Sequence, residues 1–478
     1  MVFTSFNFLI FFPLVIVLYY LTPARLRSVT ILAANYFFYI NIKPVFALLL
    51  AAVTFIAYCA TLLMERTSGP GARKAVLQSA IVLILLPLFF FKYFGEINDA
   101  IALALQAHQL HWPLPPIKML LPIGISFYTF MALGYVIDVY YEEIECEKNI
   151  GQLAAFISFF PLILSGPIER AGNMLPQLKA PRVATFEQFS QGCKLMLWGY
   201  FLKMVVADRV GIYVDAVYGN IERHNGTSLL FASCLYPFQI YADLGGYSLL
   251  AIGVSKILGF DIIPNFNRPF FATSMSDFWR RWHMSLISWV NDYIYTPLSF
   301  SLRSLRIWGI IISLTITFVI SGVWHGPSMT FVVWGLLQGM FLSIEVLLAP
   351  RRSAWEKKHA AAQNRLYLAG MMVLTFIMFA ASMVFSRAAT IGDGLAVYAR
   401  IFTTSGPLYI EKPSTMIYIL FGIAVMMAKD FTDEFTPSRF LLFKNKSKVV
   451  RTLSYSLALV TILLVGVLDG GQFIYFQF

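Results

Sequence analysis

Charge is what this sequence has least of. Asp, Glu, Lys and Arg make up 13% of the 478 residues, against 58% hydrophobic ones. A soluble chain carries about twice that charged fraction, and the mean hydropathy is +0.70, so a polytopic membrane protein is expected. Cysteine is scarce too: Cys59, Cys146, Cys193 and Cys234 form no C-x-x-C pair. That excludes a zinc ribbon and a dithiol redox motif, and most of the four read as small core residues. There is no P-loop, no G-x-G-x-x-G after a strand, no H-E-x-x-H and no G-x-S-x-G. Nucleotide-driven transport and an elbow serine nucleophile therefore have no support. His108 and His111 lie three apart but lack Cys, Asp or Glu at ligand spacing, so no metal site is indicated. No Lys/Arg cluster is interleaved with aromatics, so no nucleic acid is expected; the net charge of +11 suits cytoplasmic loops facing anionic lipid. Repeats, low-complexity tracts and soluble inserts are missing, which points to a single integral-membrane domain over 1–478.

What is present is a series of apolar runs. Phe8 to Tyr20 follows an N-terminus without a basic n-region, so it reads as a retained first span, and Arg25 and Arg27 after it place the N-terminus outside. A mixed stretch from Glu96 to Lys118 separates later spans. Leu120 to Tyr141 carries Pro122 and Gly124, hence a kink. Ile150 to Leu164 is short, stops at Gly166-Pro167 before Glu169-Arg170, and reads as re-entrant. Phe186 to Val206 contains Lys194 and Lys203, which suggests snorkelling or an interfacial tilt. Leu229 to Phe260 holds Asp243 at membrane depth, where it must find a donor or face water. The expected fold is all-α: about eleven transmembrane helices plus re-entrant and interfacial ones around a central tunnel.

The chain is organised around Ser276 to Gly326. Two of the six histidines, His283 and His325, stand here, each directly after a tryptophan. Wound as one helix, Asp277 to Tyr293 puts Asp277, Arg281, Ser285, Ser288 and Asp292 on a polar stripe and Trp279 and His283 on another line. Ser274 resembles an N-cap three residues before Asp277. So amphipathic a helix should lie along an interface or line a polar cavity. His283 is then either a core histidine bonded to a neighbour or a functional ring.

Ile307 to Trp324 is almost wholly apolar and spans about 27 Å as a helix. Gly326-Pro327 breaks it, and Ser328 to Ala349 is a second apolar run. Arg303 and Arg306 flank one end of the pair, and Arg351, Arg352, Lys357 and Lys358 the other. With both flanks cytoplasmic, His325 lies at the opposite face. An ionisable group at such depth is a functional candidate, the alternative being an interfacial turn histidine in a Trp belt. Histidine titrates near neutrality and can take a proton from a hydroxyl as it attacks an acyl carbonyl. Acyl transfer needs no metal or nucleotide, only a base, a grip on the donor and donors for the developing oxyanion.

The runs Tyr241-Ala242-Asp243-Leu244-Gly245-Gly246-Tyr247-Ser248, Asn265-Phe266-Asn267-Arg268-Pro269, Asp277-Phe278-Trp279-Arg280-Arg281-Trp282-His283 and Trp324-His325-Gly326 together resemble the membrane-bound O-acyltransferases. The likeness is to the bacterial branch of alginate O-acetylases, peptidoglycan O-acetylases and teichoic acid D-alanyl transferases, and it covers nearly the whole chain. The two histidine motifs are 42 positions apart, and their joint presence is the specific signal. By resemblance, His325 matches the family's essential histidine, as general base on the acceptor hydroxyl. His283 matches the second one, orienting the donor or polarising its carbonyl. Trp279, Trp282 and Trp324 would wall the passage. Asp243, Asn267, Arg280, Arg281 and Asp292 complete the candidate substrate-binding set, with Asp243, Asp292 and the arginines in supporting roles. Where the branch often has Arg-Asp-Tyr and Pro-Leu-Gly-Gly, this chain has Asn291-Asp292-Tyr293 and Pro297-Leu298-Ser299-Phe300.

The resemblance implies a multi-pass protein of the bacterial cytoplasmic (inner) membrane. It binds no cofactor and takes an acyl thioester, acetyl-CoA or an acyl carrier protein, as co-substrate. The acyl group, acetyl by expectation, goes to a hydroxyl of an extracytoplasmic cell-envelope polysaccharide, directly or through a periplasmic or secreted acyltransferase partner, with membrane lipid around the chain. The alternatives are D-alanyl transfer from a carrier protein, an acyl or lipid transporter serving a separate transferase, and a structural subunit.

Overall fold

The computed structural model describes residues 1–110, 112, 114–115, 120–180, 182–359, 364–436, 443 and 445–468. His111 and the aromatic tail from 473 lie outside them. The described residues are helical, without strands. Among the described residues, seven helices are long and apolar enough to cross a membrane, and Phe6–Leu21, Ile125–Tyr140 and Ile150–Ile163 form shorter apolar segments. The count differs from about eleven because short, broken apolar segments weigh as much as full spans in a hydropathy reading. One helix runs on into the mixed stretch expected to separate spans. The helix Pro70–Ala107 runs 38 residues, through Pro87 and the mixed stretch after Phe91. That is about 57 Å of helix, well beyond the roughly 30 Å hydrocarbon layer. Glu96 and the Ala/Leu-rich end are good helix formers and need no lipid to stay wound.

Two compact units emerge: residues 1–193 with 251–263, and residues 194–250 with 264–478. In the first, the apolar segment is broken at Ser158 into Ile150–Ile157 and Phe160–Ile163, and residues 153–169 are all buried. This is the interrupted, protein-covered backbone that membrane depth permits. Gly124 seats it: a Cβ there would lie 2.0 Å from the Ile163 carbonyl oxygen, at φ +79°. The Glu169 carboxylate, buried after Gly166-Pro167, accepts from the backbone N–H of Ile263 at 3.0 Å and of Arg170 at 2.9 Å. Gln177 grips the Asp261 backbone with both ends of its amide.

Phe186–Tyr200 is not a plain α-helical span. It leads into a π-helical turn, Phe201–Ala207, and then Asp208–Tyr218. Lys203 sits in that turn and does not snorkel. Its side chain is 2% exposed, and its Nζ lies 2.7 Å from both Asp208 Oδ1 and Asp243 Oδ1. Asp243 thus has the donor that its depth demands. The pairing depends on glycine. A Cβ on Gly199 would lie 2.8 Å from the Gly246 carbonyl oxygen, and one on Gly246 would lie 2.9 Å from that of Gly199. The two backbones touch, and Lys203 arrives beside Asp243.

Ile307–His325 and Met329–Lys358 form an antiparallel hairpin. Lipid supplies no hydrophobic force between spans, so close packing of small residues holds them. A Cβ on Gly322 would lie 2.3 Å from the Phe331 carbonyl oxygen, and one on Gly335 would lie 2.4 Å from that of Phe318. The cysteines depart from expectation: Cys59 and Cys193 are exposed, Cys146 and Cys234 half-buried, and all four are free thiols. In apolar helices such positions suit lipid as well as core.

Candidate active site

The segment holding His283 is not one helix. Met275–Trp279 ends after five residues, with Ser274 capping it by accepting from the Asp277 N–H, and a new helix runs Met284–Val290. Between them His283 adopts φ +45°, ψ +49°, the left-handed region that residues with a Cβ enter at a cost of about 1–2 kcal/mol. Long-range pairing sets this break. The Asn267 N–H donates to the Arg281 carbonyl and the Met284 N–H to the Asn265 carbonyl, both at 2.8 Å. The Asn265–Asn267 strand of loop takes hydrogen bonds that a continuous helix would use. Residues 277–293 therefore do not form the single amphipathic helix that their periodicity predicts.

His283 is 1% exposed. Its Nδ1 lies 3.1 Å from Asn265 Oδ1. Its Nε2 has no hydrogen-bond partner among the described residues. The segment lies outside the seven candidate spans, and burial pushes the imidazole's pKa down to about 3, so the ring is neutral.

His325 is the last residue of its helix, half-buried, at the apex of the hairpin. The break follows at Gly326, where a Cβ would lie 2.3 Å from the Phe331 ring. Glycine lets that ring close over the turn, and His325 packs against it with centroids 6.5 Å apart. Trp324 links the histidines: its ring centroid is 6.4 Å from His283 and 4.8 Å from His325. Trp334 faces His325 edge-on at 5.2 Å.

Both imidazoles line one cavity of about 40 Å³, walled by Trp279, Trp282, Trp334 and Phe379. One water needs roughly 10–15 Å³ of such space, so the pocket has room for a few waters or a short acyl group. Its walls are fixed. Trp279 Nε1 donates to Gln338 Oε1 at 3.2 Å, and Gln338 donates on to Ser382. Trp282 stacks on Phe278 at 5.3 Å.

Several expected substrate contacts lie elsewhere. Asp243 belongs to the Lys203 cluster. Arg281 pairs with Asp277 and Glu434, at 3.1 and 2.8 Å. Arg280 is 73% exposed in its side chain. Asp292 is exposed and accepts from Ser288 and Asn291. Asn267 is exposed and acts through its backbone. The asparagine that matters at the ring is Asn265, two positions earlier in the same motif. Trp334 was equally absent from the expected set, although it lies nine residues after His325 on the return helix.

Residues 147–387, half the chain, match the family model described as MBOAT, membrane-bound O-acyltransferase family. The chain belongs to that family. It is 35% identical to the probable alginate O-acetylase AlgI of Azotobacter vinelandii over 72% of this chain and 68% of that one. It is 33% identical to the protein of the same name from Pseudomonas aeruginosa, over 84% and 75%. It is 28% identical to the peptidoglycan O-acetyltransferase of Helicobacter pylori, over 65% and 63%. This membrane-bound O-acyltransferase is an all-helical membrane enzyme, and the cavity between its two Trp-His motifs is its candidate active site.

Proposed function

We propose that the chain transfers an acyl group, acetyl in the first instance, from a thioester on the cytoplasmic side to a hydroxyl of an extracytoplasmic cell-envelope polysaccharide, in the inner membrane of a bacterium. The observation carrying this reading is that His283 and His325, distant in sequence, line one small cavity with aromatic walls. In the reaction, the acceptor oxygen attacks the thioester carbonyl carbon and its proton passes to His325. The C–S bond breaks, the thiolate leaves and recovers a proton, and the products are an ester and a thiol. His325 suits the base because it is half-buried at the hairpin apex and can be reached. His283, sealed and neutral, orients what enters. The free volume favours a short acyl group, and the names of the relatives favour acetate on a polysaccharide or wall polymer. The acceptor is met directly or through a periplasmic partner.

The test uses purified protein in vesicles with labelled acetyl-CoA inside and an alginate or peptidoglycan acceptor outside. Base-released acyl groups are identified by mass spectrometry. Labelled acetate on the acceptor, lost in His325→Ala at unchanged protein yield, is expected. D-alanine on the envelope polymers of producing cells would replace acetate by D-alanyl transfer. Label that crosses the membrane but reaches an acceptor only when a second enzyme is added would make the chain a transporter. Full activity of the His283→Ala, His325→Ala double variant would make both histidines packing groups, and no acceptor acylation by the native chain on its own would leave it a structural subunit.

A further inference from the structure

The orientation of Asn265 fixes which nitrogen of His283 carries the proton. Asn265 is 1% exposed, and its Oδ1 faces three groups: His283 Nδ1 at 3.1 Å, Ser285 Oγ at 2.8 Å and the Ser285 backbone N–H at 3.3 Å. A backbone N–H can only donate, so the Asn265 atom facing it is the oxygen, and the amide cannot be turned over. The other end agrees: Nδ2 donates to Ser248 Oγ at 2.9 Å. A carbonyl oxygen accepts and never donates, so His283 Nδ1 must carry the hydrogen. A neutral imidazole has one N–H. His283 Nε2 is therefore a bare lone pair, buried and without a partner among the described residues, on a ring that lines the cavity.

We propose that Asn265 is a positioning residue of the transfer reaction: its carbonyl holds His283 in the Nδ1–H tautomer, so that the ring offers the substrates a hydrogen-bond acceptor at Nε2 and cannot polarise the acyl carbonyl. This rests on the acyl-transfer reading above and narrows it. The carbonyl needs its donor from another wall. Trp334 is 5% exposed, lines the same cavity, and its Nε1–H has no partner among the described residues. An acceptor on one wall and an indole donor on another fit a substrate pair with one O–H or N–H to give and one carbonyl oxygen to receive. The left-handed backbone at His283 serves the same end, since it turns Nδ1 back onto the loop that carries Asn265.

Two side chains separate the two ring nitrogens. Glutamine at 283 places its amide near the position of Nε2, and asparagine places its amide near that of Nδ1. If Nε2 acts on substrate, His283→Gln should keep acyl transfer within about tenfold of the native rate and His283→Asn should lose more than about a hundredfold. If His283 only braces Asn265, the order reverses, which would overturn the proposal. Trp334→Phe, which keeps the ring and removes the N–H, should lower kcat more than it raises KM. The tautomer is read without any activity. The protein is labelled with ¹⁵N-histidine in bilayers, and the His283→Gln spectrum is subtracted to isolate His283. A protonated Nδ1 and an unprotonated Nε2 are expected, kept in Asn265→Asp, which still accepts at that position, and mixed in Asn265→Leu. A protonated Nε2 in the native protein would refute the lock. A correct tautomer in a protein that transfers no acyl group would instead refute the acyltransferase reading.

Discussion

The ammonium of Lys203 and the carboxylate of Asp243 meet at 2.7 Å, with 2% and 4% of their side chains exposed. Asp208 sits on the same ammonium at 2.7 Å. Two carboxylates and one ammonium inside apolar packing hold together only as a set, because the ammonium offsets the desolvation of both carboxylates and the repulsion between them.

Lys203→Met removes the cation and leaves two buried carboxylates without it. The expected loss is about 3–5 kcal/mol of stability, seen as a lower midpoint of thermal unfolding in detergent. Combining it with Asp208→Asn and Asp243→Asn should recover most of that loss, because the charges then leave together. A triple variant no more stable than Lys203→Met would sink the account of the cluster.

The hairpin that carries His325 has no slack at its glycines. Gly335→Ala puts a methyl 2.4 Å from the Phe318 carbonyl oxygen and must push the two helices apart. We expect a cost of about 1–3 kcal/mol or more and loss of acyl transfer, since the turn beyond His325 is set by the same contact face. Gly370, with nothing within 4 Å of an added Cβ, is the control: Gly370→Ala should leave both stability and transfer alone.

Acid should weaken the fold through His283. Its folded pKa is depressed, so below the ordinary value of about 6.5 the unfolded chain takes up a proton that the folded one refuses. This contribution to stability is complete above about pH 6.5 and shrinks as the pH falls, by up to about 1.4 kcal/mol per pH unit for one group. Between pH 6.5 and pH 5 that integrates to about 1.6 kcal/mol. Unfolding midpoints over this range should slope less steeply in His283→Gln; parallel slopes would show that the ring does not titrate on unfolding.

The hydropathy of the chain was enough to read its class, the 307–349 hairpin, the interrupted 150–164 segment and the pairing need of Asp243, because each follows from local composition. Lys203 was misread because its partners are 5 and 40 positions away and the glycine contact that joins them is a property of two helices. The His283 segment was misread for the same reason. Its period is helical from 277 to 293, but bonds from residues 265 and 267 overrule the period. Asn265 and Asn267 look alike in the motif, and only the fold buries one and exposes the other.

The positive φ of His283 also makes its ring separable from its backbone. Glycine is at ease in that conformation, so a chain with glycine at 283 can keep the turn and leave a ring-shaped hole beside Asn265. Imidazole dissolved in the buffer is the molecule that fits such a hole. The second histidine of this enzyme is in that sense a removable part.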